Sequence, residues 1–242
     1  MMVCSFKNVS AIIFVLMIFS MAFPDPILSK SNKISKKNKP SQVLQNTQTQ
    51  QTTQVGLQCD AQSAVLMDAL SGQVLFEKSP NSRIPPASFG KVITLYLAFD
   101  ALRAGHLKMD DMVTVSEKAW RAQGSKMFIK VGERVKVEDL LKGIAISSGN
   151  DACIALAEHL AGSEEIFVSK MNEKASLLGM KDSQFKNSHG MSADGQYTTA
   201  MDMAMLARRY IQEHPEALAF HSTTEYEYNK IRQYNRNTLL QK

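Results

Sequence analysis

Several signatures are missing from this sequence of 242 residues. There is no H-E-x-x-H and no Cys/His pairing, so neither a metal nor another cofactor is expected. There is no G-x-G-x-x-G and no P-loop, which removes the glycine-rich cradles that bind dinucleotide or nucleotide phosphates. Cysteine is scarce: Cys4, Cys59 and Cys153 are all there is. The apolar run Ala11–Phe23 falls short of the roughly 20 residues that a membrane-spanning helix needs. Acids are absent from Ser29–Gln58, which carries Lys30, Lys33, Lys36, Lys37 and Lys39. Lys7 and Asp25 cancel, so those lysines account for the whole net charge of +5, and Cys59–Lys242 is formally neutral. A basic excess confined to one polar tract does not point to a nucleic-acid partner.

The amino-terminal residues read as an export signal. Lys7 supplies the charged start, Ala11–Phe23 the short apolar stretch, and Ser20-Met21-Ala22 a small-x-small cleavage site. The lysines that follow disfavour an uncleaved anchor with its amino terminus inside, because positive charge prefers the cytoplasmic side. The expected organisation is a signal peptide at 1–22, a disordered polar and basic linker at 23–58, and a folded region at 59–242. The linker is rich in Gln, Thr, Asn and Lys and lacks the apolar residues for a core. Cys4 would leave with the signal. Whether Cys59 and Cys153 pair cannot be read from spacing, and Cys153 reads as a buried helix residue. The chain is expected to be exported, to the periplasm or the outer face of the cytoplasmic membrane, with membrane association left open.

In the folded region, with 44% hydrophobic and 21% charged residues over the chain, periodicity separates strands from helices. Ser63–Ser79 has two apolar runs around Ser71-Gly72, the pattern of a β-hairpin. After Pro85-Pro86, Val92, Leu95, Phe99 and Leu102 recur at helical spacing, with Gly105 as a stop. Ile93, Leu97 and Ala101 make the other side apolar as well, which marks a core helix. Val113–Val115 is a short strand candidate. Val137–Gly162 reads as two helices broken at Ser147–Asn150, with Asp151 a candidate cap for the second and Gly162 its end. Glu164–Gly179 and Thr198–His214 are further amphipathic helices.

The chemistry-bearing feature is Ser88 with Lys91, in a stretch otherwise apolar or small. Three residues apart on a helix they share a face. A lysine desolvated there has its pKa lowered, and a neutral amine beside a hydroxyl can take its proton and make the serine a nucleophile. The bland alternative is a lysine snorkelling from a helix end. Ser183–Lys186 matches the same S-x-x-K spacing in a polar stretch where it carries no such meaning. Ser148-Gly149-Asn150 forms an S-x-N pattern at the break between two apolar helices, where it can present a hydroxyl and an amide into a cleft. A helix cap is the alternative there.

Together these motifs resemble the serine penicillin-binding enzymes. "PPASFGKVIT", "MFIKVGERVKVEDLLKGIAISSGNDACIALAEHLAGS", "NSHGMSADGQYTTAMDMAMLARR" and "YNKIRQYNRNTLL" are similar, in order, to the low-molecular-weight D-alanyl-D-alanine carboxypeptidases of peptidase family S11, over roughly Cys59 to Lys242. Phe89-Gly90 departs from the family's usual Leu-Thr. The resemblance implies an α+β fold of the penicillin-binding-protein and β-lactamase type, a helical cluster packed on an antiparallel sheet. It implies that Ser88 attacks the carbonyl between the two D-alanines of a peptidoglycan stem peptide, and that Lys91 is the general base. Ser148 would relay a proton to the departing amine, and Asn150 would hold substrate and Lys91 by side-chain hydrogen bonds. β-Lactam antibiotics would acylate the same serine. His189, in "NSHG", is assigned no catalytic role and reads as a structural turn residue.

The family's K-T-G occurs nowhere in this sequence. In relatives it follows the "NRNTLL" region on a strand lining the site, so the chain is expected to be the front portion of such an enzyme, C-terminally truncated, with the last sheet strands missing. Little activity and a tendency to aggregate are expected of the chain as given. The other readings are a D,D-endopeptidase or β-lactamase of the same fold, and a non-catalytic wall-binding or penicillin-sensing protein.

Overall fold

The structure, a computed structural model, describes residues 59–241. The expected signal peptide at 1–22 and linker at 23–58 lie outside the described residues.

Period-two stretches give strands that pair only locally. β1 (Ala64–Met67) and β2 (Val74–Lys78) form the antiparallel hairpin that Ser63–Ser79 predicts, with a register shift between Leu66 and Met67. Gly72 takes a φ of +79° in its turn, a backbone region that glycine enters without a Cβ penalty. β3 (Met112–Thr114) pairs antiparallel with β4 (Arg134–Lys136), and β5 (Glu225–Tyr228) with β6 (Ile231–Tyr234). Among the described residues these are three separate two-stranded ladders.

Helices fill the rest. α1 (Lys91–Arg103) buries Ile93, Leu95, Tyr96, Ala98 and Phe99, residues that lie on more than one side, as its uniformly apolar sequence requires. α3 (Val137–Ala145) is one-sided: Val137, Leu140, Leu141 and Ile144, at helical spacing, are all buried. α4 (Asn150–Ala161) buries every residue from Asn150 to Ala157, and its alanines and Cys153 let neighbouring elements approach closely. Gly162, with φ +81°, ends α4 in the left-handed conformation. α5 (Glu164–Leu177) and α6 (Ala200–Glu213) start on side-chain caps, Ser163 accepting from the Ile166 N–H and Thr199 from the Asp202 N–H. The short helices α2 (Glu117–Trp120) and α7 (Leu218–Ser222) complete the set.

One contiguous core joins α1, α3, α4, α5 and α6 with β3 and β4. Val65 of β1 packs in a smaller cluster with Ala200 and Ala204 of α6. At the far end of α1 a polar knot sits within aromatic packing from Tyr96, Phe99 and Tyr210. His214, fully buried, lies 3.0 Å from Arg103 and 2.9 Å from Asp100. Arginine can only donate, so His214 Nδ1 accepts and Nε2–H donates to Asp100. None of the described helices is long and apolar enough to cross a membrane.

Candidate active site

The chain enters the site through Ile84, which pairs with Thr198 in an isolated bridge. Pro86 then begins a 3-10 turn, Ala87–Gly90, that runs into α1. Ala87 has φ +46°, an unfavourable conformation for a residue with a Cβ. This turn leaves Ser88 exposed while Lys91, the first residue of α1, is 4% exposed. The two residues meet as their spacing predicts, with Lys91 Nζ 3.2 Å from Ser88 Oγ. Burial lowers the Lys91 pKa, and nearby Arg236 adds to that, partly offset by Cys153. The desolvated amine is thus biased toward its neutral form, which can accept a proton.

Lys91 has a second partner that its neighbours in sequence do not reveal. Its Nζ donates to the His189 carbonyl oxygen at 2.8 Å. One turn along α1, Thr94 Oγ1 donates to the preceding carbonyl, that of Ser188, at 2.6 Å. The segment Ser188–Gly190 therefore crosses directly over the start of α1. Two glycines make the crossing close. A Cβ on Gly190 would stand 1.7 Å from the Ala87 carbonyl oxygen, and one on Gly90 would stand 3.3 Å from Gly190 Cα. The glycine at position 90, weak as a helix former, fits this approach of backbone to backbone.

The S-x-N turn forms the next wall. Ser148 has φ +60°, and its Oγ is buried with no hydrogen-bond partner among the described residues. Ser148 thus combines backbone strain with an unpaired polar atom, each a cost to stability. The side chain of Asn150, 2% exposed, donates through Nδ2 to the Gln123 carbonyl at 2.6 Å. The expected Asn150–Lys91 hydrogen bond is not among the contacts of the described residues: Nδ2 braces the 123–125 segment, and the Asn150 N–H donates to the Ser125 carbonyl. Gly124 lies against both Asn150 and Met191, since a Cβ there would be 2.9 Å from Asn150 Nδ2 and 3.6 Å from Met191 Sδ. Asn150 and the 188–191 segment thus border one another.

Asp151 is not the cap expected of it. Gly149 occupies the N-cap of α4. The Asp151 carboxylate is fully buried and accepts backbone N–H groups from Met127 at 2.9 Å, Phe128 at 3.0 Å and Ile129 at 3.4 Å. Those bonds hold Phe128 at φ +67° with its ring exposed, beside the S-x-N turn. The second S-x-x-K match makes no such pair: Ser183 Oγ donates to Asp202 Oδ2 at 2.7 Å.

Sequence reasoning missed the His189 carbonyl, Ser188, Thr94, Asp151 and Arg236. A carbonyl oxygen belongs to every residue type, so the contact most intimate with Lys91 has no sequence signature. The His189 ring has its own setting: burial lowers its pKa, and its Nε2 lies 3.8 Å from Glu164 Oε1. Cys59 and Cys153 are free thiols. Cys153 is buried in α4, which pushes its pKa up to about 12. Among the described residues no group of three His, Cys, Asp or Glu could hold a metal ion.

Known proteins resemble this chain in sequence and in fold. The model of the S11 peptidase family, described as D-alanyl-D-alanine carboxypeptidase, matches residues 46–242. The D-alanyl-D-alanine carboxypeptidase DacC of Escherichia coli is 47% identical over 187 residues, covering 75% of this chain and 47% of the relative. DacF of Bacillus subtilis is 47% identical over 153 residues, covering 63% of this chain and 39% of the relative. Among solved structures, penicillin binding protein 5 from Haemophilus influenzae superposes with a TM-score of 0.74 at 40% identity, over 76% of this chain and 55% of that one. The chain spans about half the length of the curated relatives it matches. The fold is the α+β penicillin-binding-protein fold, as the motifs imply.

Proposed function

The chain belongs to the D-alanyl-D-alanine carboxypeptidase family, peptidase family S11, and from that premise we propose that it acts as a serine D,D-carboxypeptidase on peptidoglycan stem peptides. The observation that carries this reading is the exposed Ser88 hydroxyl 3.2 Å from a buried lysine amine of lowered pKa. Ser88 Oγ attacks the carbonyl carbon of the penultimate D-alanine while its proton passes to neutral Lys91. The tetrahedral adduct collapses, the C–N bond breaks, and the terminal D-alanine amine leaves with a proton delivered through Ser148. Water then hydrolyses the Ser88 ester, regenerating the hydroxyl. We assign substrate binding to the Asn150 side-chain oxygen, since its Nδ2 is held by the Gln123 carbonyl. A β-lactam follows the first half of this path: its amide opens onto Ser88, and the ring nitrogen takes the proton.

The amino-terminal stretch fits this role, because peptidoglycan lies outside the cytoplasmic membrane. We read residues 1–22 as the signal that exports the chain, and the mass of the mature amino terminus checks cleavage after Ala22.

The test of function is acylation of the full-length protein by a fluorescent penicillin, mapped by peptide mass, with D-alanine release from a synthetic stem peptide assayed in parallel. Label on Ser88 and loss of both signals in Ser88→Ala are expected. Label elsewhere, or release unaffected by Ser88→Ala, would overturn the assignment.

A further inference from the structure

Glu164 opens α5 with a carboxylate in a residue only 6% exposed, and a glutamate is almost never this buried unless paired. Its two oxygens are used differently. Oε2 meets Lys118 Nζ of α2 at 3.0 Å. Oε1 accepts both donors of Ser188, the N–H at 2.9 Å and the Oγ–H at 2.7 Å. Burial works against the charge, but the two Ser188 bonds and Lys118 outweigh it and hold the Glu164 pKa below the ordinary glutamate value. The carboxylate is thus a fixed anion at neutral pH.

Ser188 is consequently gripped on every polar atom, with Glu164 on its N–H and hydroxyl and Thr94 on its carbonyl. The next peptide carbonyl, that of His189, is the one Lys91 rests on. A neutral lysine amine has two N–H bonds and one lone pair. With one N–H committed to the His189 oxygen, the direction of the lone pair toward Ser88 Oγ depends on where that oxygen sits. One residue earlier, Ser188 is held by the carboxylate.

We propose that Glu164 is a positioning residue for Lys91, acting through Ser188 to fix the His189 carbonyl against which the amine is aimed at Ser88. This rests on Lys91 being the general base, and the experiment separates the two ideas. Acylation of the full-length protein by a fluorescent penicillin is followed over a range of concentrations, so that initial binding and bond formation are measured apart. Glu164→Ala is expected to slow bond formation by about 10²-fold, the cost of misplacing a catalytic group by an ångström or so, with initial binding little changed. Glu164→Gln keeps an oxygen acceptor for Ser188 and is expected to restore most of the rate. Ser188→Ala loses one of the two bonds and is expected to fall between, which also supplies a readout if Glu164→Ala does not fold. Lys91→Met sets the baseline and is expected to lose acylation. If it does, and Glu164→Ala or Ser188→Ala reacts at the wild-type rate, the brace is wrong and the base assignment stands. Equal losses in Glu164→Ala and Glu164→Gln would also overturn the brace. If Lys91→Met reacts like wild type, the base assignment fails and the brace fails with it.

Discussion

Lys91 and Ser148 are both costly to the fold, each in its own way, and each cost is measurable. Burial lowers the Lys91 pKa below the ordinary 10.5, so between the lowered value and 10.5 the unfolded chain holds one more proton than the folded one. Stability contributed by this site therefore rises with pH across that window. Lys91→Met removes the penalty: the variant should melt at a higher temperature than wild type at neutral pH, with an advantage that shrinks as pH approaches 10.5. Its acylation rate should fall by about 10²–10⁴-fold, the usual contribution of a general base. In the wild type, acylation should climb with pH as the amine loses its proton, at values below those of an ordinary lysine. Ser148 stores strain in its φ of +60° and leaves its Oγ unpaired. Ser148→Gly relieves both and should stabilise the fold by about 1 kcal/mol in denaturant titrations while lowering D-alanine release. A variant that lost stability would show the hydroxyl to be structural.

At the scale of elements, the site is a crossing. The Ser88 turn and α1 run beneath the Ser188–Gly190 segment, with Gly90 and Gly190 in contact. Two glycines of nearly equal φ measure how much this closeness matters. Gly162 at +81° has nothing within 4 Å of its missing Cβ, whereas Gly190 at +84° has the Ala87 carbonyl oxygen at 1.7 Å. Gly162→Ala should cost about 1–2 kcal/mol, the backbone term alone. Gly190→Ala should cost more and should slow Ser88 acylation, since relief of the clash moves the turn that carries Ser88. Equal losses of stability in the two variants, with acylation intact, would contradict the crossing as the determinant of Ser88 placement. This scale also divides what was legible from what was not. Periodicity locates α1, α3, α4 and the β1–β2 hairpin, because burial on one face or all round is written in the spacing of Val137, Leu140, Leu141 and Ile144, or of Leu95 and Phe99. The 3-10 start of α1 and the strained Ala87 are not legible, because they arise from the segment packed above them. Asp151 looks like a cap since it opens a helix. Besides the adjacent Ala152 N–H, its partners are the N–H groups of 127–129, which lie more than twenty residues away in sequence and leave no local trace.

At the scale of the molecule, the helices among the described residues close a core but the strands do not close a sheet. Three two-stranded ladders stand apart among the described residues, and two strands alone are marginal in water. β1 is buried against α6, whereas β2 exposes Val74 and Leu75 and pairs only with β1 among the described residues. Among the described residues its outer edge is a row of unpaired backbone donors and acceptors beside apolar side chains, the arrangement that invites edge-to-edge association. The helical motifs in the sequence announced the core and the Ser88–Lys91 pair. The strands were harder to read because a strand three to five residues long has too few alternations to set its face, and its partner is fixed only in three dimensions. A purified fragment of residues 59–241 should therefore fold its helical core yet self-associate through β2. Sedimentation should show concentration-dependent oligomers, and Leu75→Lys, which places a charge on the exposed strand, should shift them toward monomer without changing helix content by circular dichroism. A fragment that sediments as a monomer at every concentration would show that β2 is protected, and oligomers indifferent to Leu75→Lys would place the sticky surface elsewhere.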